Sequence, residues 1–160
     1  MTRRGYLGTI VIAVVLTASP GGAASPAVSQ SSKTALGTIT IDPITSGPVD
    51  IVSVQWGVTN DGSGPSFGQL KVTKGVDATT PLLIVAIASG SLEPQAVLNL
   101  GPQAKGGAGG TFVLEHVVVR SLQTSIDDQG NLVEDVGLSF GRIQTTVGGV
   151  TSGWDLELKL

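Results

Sequence analysis

The chain has 160 residues, of which 13% are charged, 4% are aromatic and 23 are glycine, a mixture typical of strands and turns. It contains no cysteine, which excludes disulfides, thiol nucleophiles and cysteine-bound metals. The net charge of −3 becomes −5 without residues 1–24, because seven Lys and Arg then remain against twelve Asp and Glu. An acidic surface repels phosphate backbones, so no nucleic-acid partner is expected.

Residues 1–24 have the order of a signal peptide. Arg3 and Arg4 form a positively charged N-terminal region, an apolar stretch follows over residues 7–18, and small residues precede Ala24. We predict cleavage after Ala24. The stretch is shorter than the ~20 residues that a transmembrane helix needs, so no stable membrane span is expected after cleavage.

The start of the chain also resembles a twin-arginine export signal, since Arg3 and Arg4 precede Tyr6 and Leu7. Ordinary export of an unfolded chain stays open as the alternative. Either route predicts an exported protein, secreted or located in the periplasm or outside the cell. Residues 25–35 are rich in Ser, Ala and Pro and are predicted to form a flexible leader.

Residues 36–160 are predicted to form one folded domain. Its first half alternates apolar and polar residues at Ile39 and Ile41, over residues 51–58 with Val52, Val54 and Trp56 on one face, and again at 70–74. A period of two indicates strands with one buried and one solvated face. The Asn, Asp, Gly and Pro residues of 60–65 predict a loop between two of these strands.

One segment, residues 82–89, is predicted to be the single helix. Thr80 can cap it, Pro81 suits the first helical position, and Gly90 suits the residue after its end. The segment is apolar on nearly all sides, so it needs cover on more than one side, and a neighbouring subunit could supply it. The candidate subunit interface comprises Leu82, Leu83, Ile84, Val85 and Ile87.

The second half continues with strands at 96–100, 111–125 and 136–140 and a polar turn at 127–131, and the clearest alternation runs from Trp154 to Leu160. The whole pattern predicts an all-β fold with one short α-helix, either a sandwich or a barrel. A glycine-rich segment lies between the strands predicted at 96–100 and 111–125. This candidate loop comprises Lys105, Gly106, Gly107, Ala108, Gly109 and Gly110.

Nothing in the sequence predicts an enzyme, a metal site or a cofactor. His116, the one histidine, is in register with Phe112 and Leu114, so we expect a hydrogen-bonded, partly buried side chain, with Glu115 on the opposite face. The acidic turn at 127–131 lacks the ligand spacing of a calcium loop. The glycine-rich loop does not fit a phosphate-binding pattern.

Four segments in order resemble the haemolysin-coregulated protein (Hcp) family, the tube subunit of type VI secretion systems. They are a strand ending in Trp56-Gly57, the run from Lys74 through Asp77 and Pro81 into the helix, the strand at 133–143, and Gly153-Trp154-Asp155-Leu156. The resemblance covers about residues 36–160.

The resemblance implies a compact β-barrel of two packed sheets with one short α-helix. It implies a non-enzymatic structural protein whose copies form a homo-hexameric ring, and rings that stack into a hollow tube. It also implies that the glycine-rich loop could contact the next ring, and that secreted effector proteins could be partners. Because family members are not expected to carry a signal peptide, a second hypothesis stays open. In it, the chain is an exported Hcp-like binding module that acts outside the cytoplasm, with envelope proteins among its partners.

Overall fold

A computed structural model describes residues 35–102 and 107–157. The predicted signal peptide, its cleavage site at Ala24, and all of the leader except Ala35 lie outside these residues. The elements, in chain order, are β1 (Gly37–Asp42), β2 (Val49–Gln55), β3 (Val58–Asn60), β4 (Pro65–Phe67), β5 (Leu70–Gly75), α1 (Thr80–Ser89), β6 (Glu93–Leu100), β7 (Gly110–Ile126), β8 (Leu132–Ser139), β9 (Arg142–Val147) and β10 (Val150–Asp155).

The main sheet closes on itself. Its strand order is β10-β9-β7-β6-β1-β2-β5-β8, and β8 also pairs with β7, so that β7, β6, β1, β2, β5 and β8 form a continuous ring of strands. All of the pairings are antiparallel, and β3 and β4 form a separate two-stranded sheet. The predicted mainly β fold, a barrel with a second sheet and one short helix, is confirmed.

Strand β7 changes partner halfway along its length. On one edge it pairs with β9 as far as Glu115, opposite Arg142, and then with β8 from Val118, opposite Ser139. Between the two, His116 has a φ of 53°, and the N–H of Gly141 donates to the carbonyl oxygens of both Glu115 and His116. Such an irregularity bends a strand, and here it lies where β7 changes its partner from β9 to β8, the pairing that closes the barrel.

The bend also shifts the phase of side chains along β7. Leu114 is buried before it, and Val117 and Val119 are buried after it. The expectation that His116 and Leu114 share one face is therefore wrong, because the extra residue at the bend moves the alternation by one position. Further register shifts lie between Val119 and Ser121 in β7 and between Ile51 and Ser53 in β2.

In β2 the buried side chain is Ile51, and Val54 and Trp56 pack against the core, but Val52 lies at the register shift. The prediction of Val52 on the same face as Val54 is wrong for this reason. Apolar side chains from every strand of the ring and from α1 fill the barrel. The fully buried large ones include Ile39, Ile51, Leu70, Leu83, Leu98, Leu114 and Leu138.

The last predicted strand is only partly present in the described residues. Among these the last strand is β10, which ends at Asp155, and a turn at Gly148-Gly149 connects it to β9. The predicted alternation from Trp154 onward therefore overlaps only the end of a strand, and residues 158–160 lie outside the described range. Among the described residues, no helix has the length and apolarity needed to cross a membrane.

Candidate assembly surface

Helix α1 begins shortly after strand β5 and ends at Ser89. The next residue, Gly90, has a φ of 63° and donates its N–H to the carbonyls of Ala86 and Ile87. The prediction of a single helix that ends before Gly90 is confirmed for the described residues. The prediction of Thr80 as the cap is wrong, because the N-cap is Thr79, and its side chain makes no capping hydrogen bond.

One side of the helix belongs to the chain's own core. Leu83 is 1% exposed and Ala86 4%, and Ile87 packs against the core from a partly buried position. Two members of the predicted interface, Leu83 and Ile87, thus face inward. The reason is the helical period, since residues three and four apart share one face.

The other side of the helix is apolar and faces outward. Leu82 is 50% exposed, Ile84 52% and Val85 63%, and α1 contains no charged residue. We call Leu82, Ile84 and Val85 the outer helix face. A surface helix normally covers its outward side with charged and polar residues, so three large aliphatic side chains in that place are unusual.

A polar network fixes the start of the helix. The ammonium of Lys74 lies 2.7 Å from Oε1 of Glu134 and 2.9 Å from Oδ1 of Asp77. The hydroxyl of Thr80, the first helical residue, donates to Oε1 of Glu134 over 2.9 Å. The alternation at 70–74 includes Lys74 but does not by itself indicate what its ammonium binds. The signal that could have identified its partner is Glu134, a carboxylate at an inward position of an alternating strand.

Asp77 is ionised at neutral pH and held in that state by its neighbours. Partial burial raises the pKa of this carboxyl, but hydrogen bonds from Thr79 and from Lys74 outweigh it, so that the pKa lies below its ordinary value of 3.8. The turn between β5 and α1 therefore carries a stable negative charge beside the Lys74 ammonium.

The predicted glycine-rich loop divides into two parts. Lys105 and Gly106 lie outside the described residues, and Gly107 and Ala108 are exposed. Gly110 is the first residue of β7, and an added Cβ there would lie 2.9 Å from the carbonyl oxygen of Thr146. The end of the loop at Gly110 is therefore closely packed in the sheet.

The polar residues considered as catalytic or metal-binding candidates each have their own partners and do not form one site. His116 accepts or donates a 2.9 Å hydrogen bond with Glu157, as expected for a hydrogen-bonded side chain, but its side chain is 45% exposed, so the expectation of partial burial on the core face is wrong. Glu115 instead pairs with Arg142. Asp127 closes its turn by accepting from the N–H groups of Gln129 and Asn131.

Asp61 acts in the same way as Asp127. It accepts from the hydroxyl and the N–H of Ser63, and these bonds lower the pKa of its carboxyl. Within residues 35–102 and 107–157, no group of three or more His, Asp and Glu side chains is placed to hold a metal ion.

Comparison with known proteins agrees with the fold. The family model "Type VI secretion system effector, Hcp" matches residues 27–147. Hcp1 from Salmonella typhimurium has a similar structure, with a TM-score of 0.63 and 21% identity over 76% of this chain and 94% of that protein. A type VI secretion system effector from Yersinia pestis gives a TM-score of 0.63 and 15% identity over 74% of this chain and 98% of that protein.

The secreted protein Hcp3 from Pseudomonas aeruginosa is also similar, with a TM-score of 0.60 and 19% identity over 74% of this chain and 95% of that protein. No curated protein matches the chain by sequence. At these identities the solved structures establish the fold, whereas the family model covers most of the chain. The match extends from residue 27 to 147, so it includes the outer helix face but not Trp154. The chain belongs to the Hcp family of type VI secretion system proteins.

Proposed function

We propose that this chain is a structural, non-enzymatic subunit that associates with copies of itself into a hexameric ring, and that such rings stack into a tube of the type VI secretion kind. Membership of the Hcp family supports the tube role. The single observation that carries self-association is the outer helix face, where Leu82, Ile84 and Val85 are each at least half exposed.

The energetics favour covering this face. Burying an aliphatic side chain completely contributes ~1.5–3 kcal/mol, and about half of that area is still available here. The three side chains together contribute on the order of 3 kcal/mol per interface, before the entropy of association is subtracted. Each copy in a closed ring makes two interfaces, so the gain accumulates around the ring.

A ring also requires a second, different patch on the same chain. In a head-to-tail interface one surface of a copy meets another surface of the next, and a suitable rotation closes the ring. The hairpin β9–β10 carries further exposed apolar side chains, Val147, Val150 and Trp154. Within the part of the chain that the structure describes, helix α1 contacts neither β9 nor β10, so this hairpin offers an apolar patch apart from the outer helix face, as a head-to-tail interface needs.

The glycine-rich loop is proposed to contact the next ring in a stack. Gly107 and Ala108 are exposed, and the close packing of Gly110 against β9 anchors the end of the loop in the sheet. Lys105 is proposed to add a charged contact. Secreted effector proteins are proposed partners for the assembled ring.

Export is a separate part of the proposal. It is supported by the positively charged N-terminal region, the apolar stretch and the small residues before Ala24, which favour a cleaved signal peptide over residues 1–24, by the twin-arginine or the general route. Cleavage would leave the mature chain secreted or in the periplasm. If the exported chain does not assemble, the second hypothesis applies, a binding module for envelope or extracellular proteins.

The test is the mass and shape of the mature chain beginning at Ser25. Light scattering and negative-stain electron microscopy are expected to give a hexamer mass and ring-shaped particles. Ile84→Asp places a charge on the outer helix face and is expected to give a folded monomer. Asp128→Asn, in an exposed turn, is the matched control and is expected to leave the rings intact. A wild-type chain that stays monomeric at high concentration would reject the ring, and capture of an envelope protein by that monomer would support the second hypothesis.

A further inference from the structure

Lys74 in β5 and Glu134 in β8 are directly opposite each other in the barrel wall and are both buried. The side chain of Lys74 is 3% exposed and that of Glu134 is not exposed at all. Their charged groups are 2.7 Å apart. The free energy needed to remove two charges from water offsets most of their attraction, so a buried ion pair adds little net stability. Such a pair is better explained by a role in fixing one arrangement of the chain.

The ammonium of Lys74 also organises the chain that leads into α1. It donates to the carbonyl oxygen of Gly75 over 3.0 Å and to Oδ1 of Asp77 over 2.9 Å. The same Oδ1 accepts from the N–H and the hydroxyl of Thr79. The turn between β5 and α1 is thereby wrapped around one buried cation.

The carboxylate of Glu134 holds the first residue of the helix. Its Oε1 accepts from the hydroxyl of Thr80, and that hydroxyl accepts from the N–H of Asp77. Thr79 makes no side-chain cap, so these bonds replace the usual capping contact. The other oxygen of Glu134, Oε2, is buried without a hydrogen-bond partner among the described residues. A carboxylate that is only half satisfied is tolerated where its position matters more than its contribution to stability.

We propose that Lys74 and Glu134, acting through Thr80, are positioning residues for assembly. They fix where α1 starts on the barrel and how it is rotated, and so hold Leu82, Ile84 and Val85 in one orientation toward the next copy. This inference rests on the proposed self-association. It assigns to the buried charges a role in geometry that apolar side chains of the same size could not supply.

The most selective test changes a single hydroxyl. Thr80→Val removes the bond to Glu134 at nearly constant volume, and Thr80→Ser keeps it as the matched control. Amide hydrogen exchange is expected to accelerate about tenfold across α1 in Thr80→Val, with β6 and β1 unchanged. The dissociation constant of the ring is expected to rise by about the same factor, whereas Thr80→Ser behaves as wild type.

A second variant removes both charges together. Lys74→Met with Glu134→Leu removes both members of the buried pair, and Asp77, which is 38% exposed, keeps its hydrogen bonds from Thr79, so the barrel is expected to keep its fold. Exchange in α1 is expected to accelerate and ring formation to weaken at least as much as in Thr80→Val. Ile39→Val, in β1 away from the helix, is the control for a general loss of stability, and it is expected to leave α1 exchange and assembly as in wild type.

The two proposals fail in different ways. If both variants exchange in α1 at the wild-type rate, or form rings with the wild-type dissociation constant, the positioning role is overturned while the ring stands. If the wild-type chain does not assemble, the proposed ring is overturned. The exchange measurement then decides alone whether Lys74 and Glu134 position the helix.

Discussion

Trp154 in β10 stacks on Phe67 in β4, with ring centroids 6.4 Å apart and planes inclined by 28°. Phe67 in turn meets Phe140 edge to face, with centroids 6.3 Å apart. The stacked pair joins two elements that share no strand pairing, the small sheet β3–β4 and the hairpin β9–β10. The small sheet is therefore held near the barrel by aromatic contact as well as by its chain connections.

Replacing Trp154 by Ala is expected to loosen the small sheet. The change removes the stacking contact and part of the cover on Phe67, which together contribute about 1–2 kcal/mol to the free energy of unfolding. Denaturant unfolding measures this loss, and hydrogen exchange in β3 and β4 is expected to accelerate more than in β6. Trp154→Phe keeps a stacking ring and is the control. Equal exchange in both variants would show that the contact does not hold the small sheet.

The left-handed backbone at the bend in β7 predicts that glycine at position 116 gives a more stable protein than alanine. A side chain at a φ of 53° costs roughly 1–2 kcal/mol, and glycine does not carry that cost. Both His116→Gly and His116→Ala lose the exposed hydrogen bond to Glu157. The difference between their free energies of unfolding therefore reports the conformational cost of the backbone alone. His116→Gly is expected to be more stable than His116→Ala by about 1 kcal/mol in thermal or denaturant unfolding. If alanine were the more stable, the left-handed backbone at this position would be in doubt.

The irregularities in β7 and β2 show where sequence patterns stop being informative. Around the bend, Val117, Val118 and Val119 are all apolar, so the sequence fits either phase of alternation, and only the pairing with β8 and β9 selects the buried ones. In β2, Ile51 and Val52 are adjacent and equally apolar. The strands, the helix and its glycine end follow from local chemistry, but the phase across a bulge depends on partners that are distant in the chain.

The network under α1 was only partly predictable, because Glu134 is at an inward position of an alternating strand but nothing local in the sequence pairs it with Lys74. Lys74 and Glu134 are in different strands, and their contact exists only because β5 and β8 are neighbours in the closed barrel. The outer helix face was more accessible to prediction. An uncharged helix must expose apolar side chains, and only the choice of Leu83 and Ile87 as the inward members needed the structure.

The lowered pKa of Asp77 predicts that the fold loses stability in acid. Its pKa in the folded chain lies below the ordinary value of 3.8, chiefly because hydrogen bonds from Thr79 and Lys74 outweigh partial burial. A carboxyl with a lowered folded pKa stabilises the fold fully above its unfolded pKa, and that contribution disappears as the pH falls through the folded pKa. Unfolding free energy measured from pH 6 down to pH 3 is expected to fall less steeply below about pH 4 in Asp77→Asn than in wild type.

Asp77→Asn is also expected to be less stable than wild type at neutral pH, since Lys74 then loses a charged partner. Asp128→Asn, at an exposed turn outside the network, is the control. If the free energy of unfolding fell with decreasing pH as steeply in Asp77→Asn as in wild type, this carboxylate would not contribute to the pH dependence.

Gly110 tests how firmly the end of the glycine-rich loop is anchored. An added Cβ would lie 2.8 Å from Cγ2 of Val147 and 2.9 Å from the carbonyl oxygen of Thr146, and real Cβ atoms are not found so close to other atoms. Either β9 moves away from β7 or the backbone bends, and overpacking of this kind costs about 1–3 kcal/mol. Gly110→Ala is therefore expected to lower the unfolding free energy by that amount, whereas Gly47→Ala, with open space around its Cβ, is expected to change it by less than about 0.5 kcal/mol. Because the strain falls on β9, exchange is expected to accelerate in β9 and β10 rather than in β1, and a Gly110→Ala chain as stable as Gly47→Ala would mean that the loop end is not packed against β9.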